Sequence, residues 1–278
     1  MRANAAILES ADGQHIALES VIIEGTLQDL LAEVTVTQDY LNTESVTIEA
    51  VYTFPLPLDA TLLALNVTLG DRTLRGIIVE KTEAEEQYEE AVIQGDSAIM
   101  LQQAGPGLYT MNLGNLQPGE AASIQFRYAV LQCWNGDDLR FMLPTTIAPR
   151  YGQPTSLAPH QTPKYTLSVD LTYSLRIQVQ GILAHSHITS PSHAITQSTS
   201  KEGVLIQLAT GMTALDRDFV LNFHHRASSR LTALAQADFD GYVALASFKP
   251  ELGHTQDPSP RSIKLVIDCS GSMGGGLR

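Results

Sequence analysis

The chain has 278 residues, 44 % hydrophobic and 17 % charged, a balance that excludes a disordered or coiled-coil protein. Thirty Asp and Glu against 17 Lys and Arg give a formal net charge of -13, the wrong sign for a nucleic-acid groove or an anionic membrane surface as main partner. Two cysteines, Cys133 and Cys269, are too few for a secreted disulfide scaffold and favour a reducing compartment. The N-terminus lacks a signal-peptide apolar core, and no apolar run reaches the length of about 18 residues that a spanning helix needs. The expectation is a cytoplasmic protein with no membrane span.

Alternation with period two dominates, and it predicts half-buried strands of antiparallel sheets. Ala32, Val34 and Val36 share one face of the first such run. Val46, Ile48, Ala50, Tyr52 and Phe54 share a face of the second, and Leu63, Leu65, Val67 and Leu69 a face of the third. Turns are expected at Asn42, from Pro55 to Pro57, at Gly70-Asp71, Pro118-Gly119 and Gly136-Asp137. One helix is predicted over about 83–94. Thr82 with Glu85 three residues on is a capping-box pattern, Ala84, Tyr88 and Ala91 fall on one face, and Gly95 is placed to end it. Its many acids read as a solvated face. Alternation returns with Ile124, Phe126, Tyr128 and Val130, with Leu167, Val169 and Leu171, and with Phe219, Leu221 and Phe223. A stretch from Pro149 to Pro163 carries four prolines and reads as a linker or crossing segment.

Four blocks in order carry a resemblance: VYTFPLPLDATL, EKTEAEEQYEEAVIQGDSAIMLQQ, GLYTMNLGNLQPGEAASIQFRY and LRFMLPTTIAPRYG. Together they closely resemble the VIT (vault protein inter-alpha-trypsin) domain. The resemblance implies an antiparallel β-sandwich-like domain over residues 1–155 carrying the one helix. It gives architecture more than mechanism, since such domains have no generally assigned biochemical activity. A second β region or linker is expected over 156–257.

A last segment, RSIKLVIDCSGSMGGG, holds a short apolar run, Ile263 to Ile267, of the kind buried on both faces of a parallel sheet. It ends in Asp268-Cys269-Ser270-Gly271-Ser272, which resembles the DxSxS motif opening a von Willebrand factor type A domain. Residues 258–278 are then the first strand and metal loop of an incomplete α/β domain, and the chain is expected to be a fragment of a longer one. The resemblance implies Ser270 and Ser272 as direct Mg²⁺ ligands in a metal-ion-dependent adhesion site, with Asp268 acting directly or through a water. An acidic side chain of a protein partner would complete the coordination. Carboxylate and hydroxyl oxygens are hard donors that suit Mg²⁺. Half the ligand set lies beyond these residues, so no metal binding tighter than millimolar is expected of residues 1–278.

The expected fold is therefore mainly β, and the implied function is a non-catalytic protein-interaction or scaffold module with no catalytic residues. The competing reading is an enzyme with an unrecognised site in the second β region, where His160, His185, His187, His193, His224 and His225 concentrate. Convergence of three of these with an acid would favour it. His185 and His187 are expected on one strand face, and the adjacent His224 and His225 on opposite faces. The sequence has no HExxH, no zinc-type Cys/His spacing, no G-x-S-x-G and no phosphate loop.

Overall fold

A computed structural model describes residues 4–5, 8–10, 17–76, 81–96, 98–147, 172–225 and 230–249. Strands β1 (Asn4–Ala5) and β2 (Leu8–Ser10) precede the long hairpin of β3 (Ala17–Gln28) and β4 (Leu31–Leu41). Strands β5 (Ile48–Pro55), β6 (Thr61–Leu69) and β7 (Arg72–Arg75) lead to the helix α1 (Lys81–Ile93). Then come β8 (Ile99–Gly105), β9 (Leu108–Leu116), β10 (Ala121–Leu131), and the shorter β11 (Trp134–Asn135), β12 (Asp138–Leu143) and β13 (Thr146–Ile147). From residue 172 follow β14 (Thr172–Gln180), a 3-10 turn (Gly181–His185), β15 (His187–Thr189), β16 (Ile195–Ser200), β17 (Gly203–Ala214) and β18 (Phe219–His224). A hairpin of β19 (Arg230–Asp238) and β20 (Gly241–Lys249) closes the described part. The protein is mainly β, as its alternation predicts.

Eight strands form one sheet in the order β16-β17-β14-β3-β4-β10-β6-β7, and two four-stranded sheets, β2-β5-β9-β8 and β11-β12-β18-β15, accompany it. The layers meet through apolar faces. Phe54 of β5 stacks on Phe126 of β10 with ring centroids 4.3 Å apart, and both are buried. Each such burial is worth about 1.5–3 kcal/mol. Val34, Val36, Ile124, Tyr128, Leu139, Phe141, Ile177, Ile206, Leu221 and Phe223 belong to the same contiguous core, so strands before residue 147 and after residue 172 pack together. A cavity of only about 40 Å³ remains between the layers, edged by Gln38 and Thr145.

Some expectations are corrected. Leu63 is 45 % exposed although Leu65, Val67 and Leu69 are buried. The register explains it: Arg127 opposes Ala64 while Tyr128 opposes Leu62. Leu63 is the extra residue of a β-bulge, and beyond it the inward phase passes to Leu62. Val46 is 47 % exposed because β5 starts only at Ile48. Strand β14 joins β3 in parallel, not antiparallel, since a strand buried on one face alternates identically whichever way its partner runs. The run at Leu167, Val169 and Leu171 and the proline-rich stretch lie outside the described residues.

The helix starts at Lys81, so Thr82 lies within its first turn and is not the residue that precedes it. Its C-terminus is as expected. Gly95 takes φ +82°, its N–H donates to Val92 O, and the Asp96 N–H donates to Ala91 O. That pair of bonds is the Schellman arrangement, in which a left-handed residue satisfies the last helix carbonyls.

Candidate functional site

The sequence block Gly114 to Glu120 acquires a physical role. Tyr88 is the buried anchor of α1. A Cβ at Gly114 would approach Val92 Cγ2 to 2.7 Å and Tyr88 Oη to 3.2 Å, so only glycine lets β9 lie this close beneath the helix. The next residue, Asn115, is left-handed at φ +57°. Its amide nitrogen donates to the carbonyls of Val92 and Asp96 at 3.1 and 2.9 Å, tying the helix end to the sheet. Leu116 is buried, Gly119 turns the chain at φ +72°, and Glu120 accepts the Gln117 N–H at 2.9 Å.

Asn42 is the hub of this corner and is fully buried. Its Nδ2 lies 3.0–3.1 Å from the carbonyls of Val46, Leu116 and Gln117, to which it donates. Its Oδ1 accepts the Glu44 N–H at 2.9 Å. Its backbone N–H donates to Glu120 O, and its carbonyl accepts the Gly119 N–H. Predicted as a turn residue, it makes that turn through its bond to Glu44 and also clamps two loops to the end of β9. A buried amide must be satisfied in this way, because an unpaired one costs about 1–3 kcal/mol.

The solvated side of the eight-stranded sheet is a hydrogen-bonded polar platform. Asp39 accepts from Ser20 Oγ and Ser123 Oγ at 2.6 Å each. Beside it, Asn66, Thr68, Thr73, Arg75, Ser123 and Gln125 line an open polar depression of about 210 Å³.

The histidines divide among several places. His160 lies outside the described residues. His185 sits on the 3-10 turn and only His187 on a strand, so they do not share a strand face as expected. His193 packs beside Phe219 and edge-on to Tyr173. Its Nδ1 is 2.8 Å from Ser192 Oγ and its Nε2 is 3.3 Å from the Tyr173 hydroxyl. Ser192 Oγ also accepts the Val220 N–H at 2.9 Å, so this hydroxyl holds a loop. Burial, and then the Arg217 guanidinium, hold His193 below the ordinary histidine value. Burial first, then Asp216, push the Tyr173 hydroxyl up. His225 stands 6.4 Å from the Trp134 ring. His224 Nδ1 is 2.6 Å from Asp138 Oδ1, and His224 is also directly opposite His187. One histidine therefore meets an acid, with a second histidine opposite it in register, and among the described residues no three histidines converge with an acid.

The sequence-proposed metal residues Asp268, Ser270 and Ser272 lie outside the described residues. What precedes them is the β19–β20 hairpin, which among the described residues pairs only with itself. One of its faces is wholly apolar: Leu231 opposite Phe248, Ala233 opposite Ala246, Ala235 opposite Ala244, Ala237 opposite Tyr242. Leu231, Tyr242 and Phe248 are 78, 81 and 72 % exposed.

Residues 18–128 match the family of the Vault protein inter-alpha-trypsin domain. Over this span the chain is similar to a VIT domain. The match covers β3 to β10, and so includes α1, the Gly114–Glu120 corner and Asn42. Similar proteins extend further along the chain. The human Protein mono-ADP-ribosyltransferase PARP4 is 27 % identical over 96 % of this chain and 16 % of its own length. The human von Willebrand factor A domain-containing protein 5A is 25 % identical over 93 % of this chain and 35 % of its own. A von Willebrand factor A domain-containing protein of Dictyostelium discoideum is 27 % identical over 86 % of this chain and 24 % of its own. The chain thus spans only a sixth to about a third of these relatives. No helix among the described residues is long and apolar enough to cross a membrane.

Proposed function

We propose that this chain is the VIT stem of a non-catalytic protein-interaction scaffold, and that it leads into a type A domain which binds a protein partner through Mg²⁺. The observation that carries the reading is the order of parts. A span matching the VIT domain, strands that join its sheets and a hairpin with an exposed apolar face come before IKLVIDCSGSM, and a relative bearing the von Willebrand factor A name aligns over 93 % of the chain. Asp268, Ser270 and Ser272 would hold the ion. Their oxygens are hard donors, and one carboxylate leaves a net positive charge for an acidic partner group to meet. The relative named as a mono-ADP-ribosyltransferase shares only this portion with the chain, and the activity in its name is that protein's.

The test is calorimetry on the natural full-length protein. One Mg²⁺ or Mn²⁺ isotherm, lost on Asp268→Ala and weakened on Ser270→Ala, is expected. Partner capture should follow the same substitutions and be reversed by chelation. Metal binding that survives Asp268→Ala unchanged would refute the assignment.

A further inference from the structure

A three-strand row on the second four-stranded sheet has the chemistry of a different kind of metal site. Asp138 of β12 and His187 of β15 are the direct cross-strand partners of His224 of β18 on its two sides. The three residues share one side of the sheet. The next residues along each strand, Leu139, Phe223 and Ile188, are buried on the other side. The row therefore faces solvent at the strand ends, and the side chain of Asp138 is 70 % exposed.

Directly opposed residues of antiparallel strands hold their Cβ atoms about 4.5–5.5 Å apart. Two imidazoles at that spacing can each bring a ring nitrogen to the distance of about 2.0–2.1 Å that a Zn²⁺–imidazole bond needs. The carboxylate fixes which nitrogen of His224 is offered. An ionised Asp138 only accepts, so at 2.6 Å the Nδ1 of His224 carries the hydrogen. In the neutral ring the lone pair is then on Nε2. A carboxylate on the far nitrogen is the usual device that orients a metal-binding imidazole and raises its basicity. Arg140 is the cation nearest in sequence on this side, but it lies one row away, opposite Asn222.

We propose that His187 and His224 form a surface site for a divalent transition ion of the Zn²⁺, Ni²⁺ or Cu²⁺ class, with Asp138 orienting His224. Among the described residues no three His, Cys, Asp or Glu side chains converge on one metal position, so the protein supplies two nitrogens and solvent completes the sphere. Imidazole donors select this class over Mg²⁺ and Ca²⁺, which take oxygen. The site is thus chemically separate from the one proposed at Asp268, and either can fail without the other.

Titration of the full-length protein with ZnCl₂ and NiCl₂ by calorimetry tests it. A Zn²⁺ isotherm of one ion per chain is expected at neutral pH, unaffected by Asp268→Ala. His187→Gln and His224→Gln should each abolish it. His187 is exposed, so its variant should keep the wild-type circular dichroism and thermal midpoint, which separates loss of ligand from loss of fold. Asp138→Asn should retain the ion but weaken it about tenfold. A wild-type protein with no Zn²⁺ or Ni²⁺ isotherm overturns the proposal, as does an isotherm unchanged in the His187→Gln/His224→Gln double variant.

Discussion

Single residues carry this fold at a few corners. Asn42 makes more hydrogen bonds than a turn residue needs, and its side chain satisfies carbonyls from two loops at once. Asn42→Ala should lower stability by about 2–4 kcal/mol, since it strands buried carbonyls and removes the acceptor for Glu44. A urea midpoint within error of wild type would contradict this. His193 supplies a pH dependence. Its folded value is lowered, by burial first and then by Arg217. The unfolded chain takes up a proton near the ordinary value of about 6.5 that the folded chain resists. The stabilising contribution is therefore complete above that value and is lost as pH falls from it toward the folded value. Urea midpoints compared at pH 7.5 and pH 5 should fall in wild type, and fall less in His193→Gln.

Among elements, α1 shows how a charged helix is held. Most of its length is solvated, with Glu83, Glu86, Glu89 and Glu90 all exposed, so one buried ring and one close backbone approach fix it. Tyr88→Asp should cost about 2–4 kcal/mol by placing a carboxylate against β9, while Glu89→Ala stays within about 0.5 kcal/mol. Equal denaturant midpoints for the two variants would show that the helix presents another face. Gly114→Ala should cost about 1–3 kcal/mol, because the added methyl meets Val92 and Tyr88 within the packed layer. Crystallographic or circular-dichroism evidence of an undisturbed, equally stable variant would contradict this. The β19–β20 hairpin is the opposite case. A lone two-stranded ribbon is marginal in water, and Leu231, Tyr242 and Phe248 stand exposed on its apolar face.

For the whole molecule, the eight-stranded sheet unites chain segments far apart in sequence. Parallel pairing of β14 with β3 places β14, β17 and β16 beside the strands of residues 18–128. At the turn between β3 and β4, Asp29 accepts the Ile182 N–H at 2.8 Å. Gly181 sits so close that any Cβ would strike that carboxylate. This contact fastens the strands after residue 172 to the first hairpin. No local pattern announces it, because Asp29 and Ile182 are related only through the sheet.

The amino-acid sequence by itself determined the β class, the inward faces of β4, β10 and β18, and the helix with its Gly95 terminus. These are local consequences of side-chain period and of backbone freedom at glycine. The bulge at Leu63, the direction of β14, the burial of Asn42 and the Asp138–His224–His187 row were decided only by tertiary structure. Each depends on which strand lies alongside which and in what register, and two-residue alternation records the buried face of a strand without naming its neighbour.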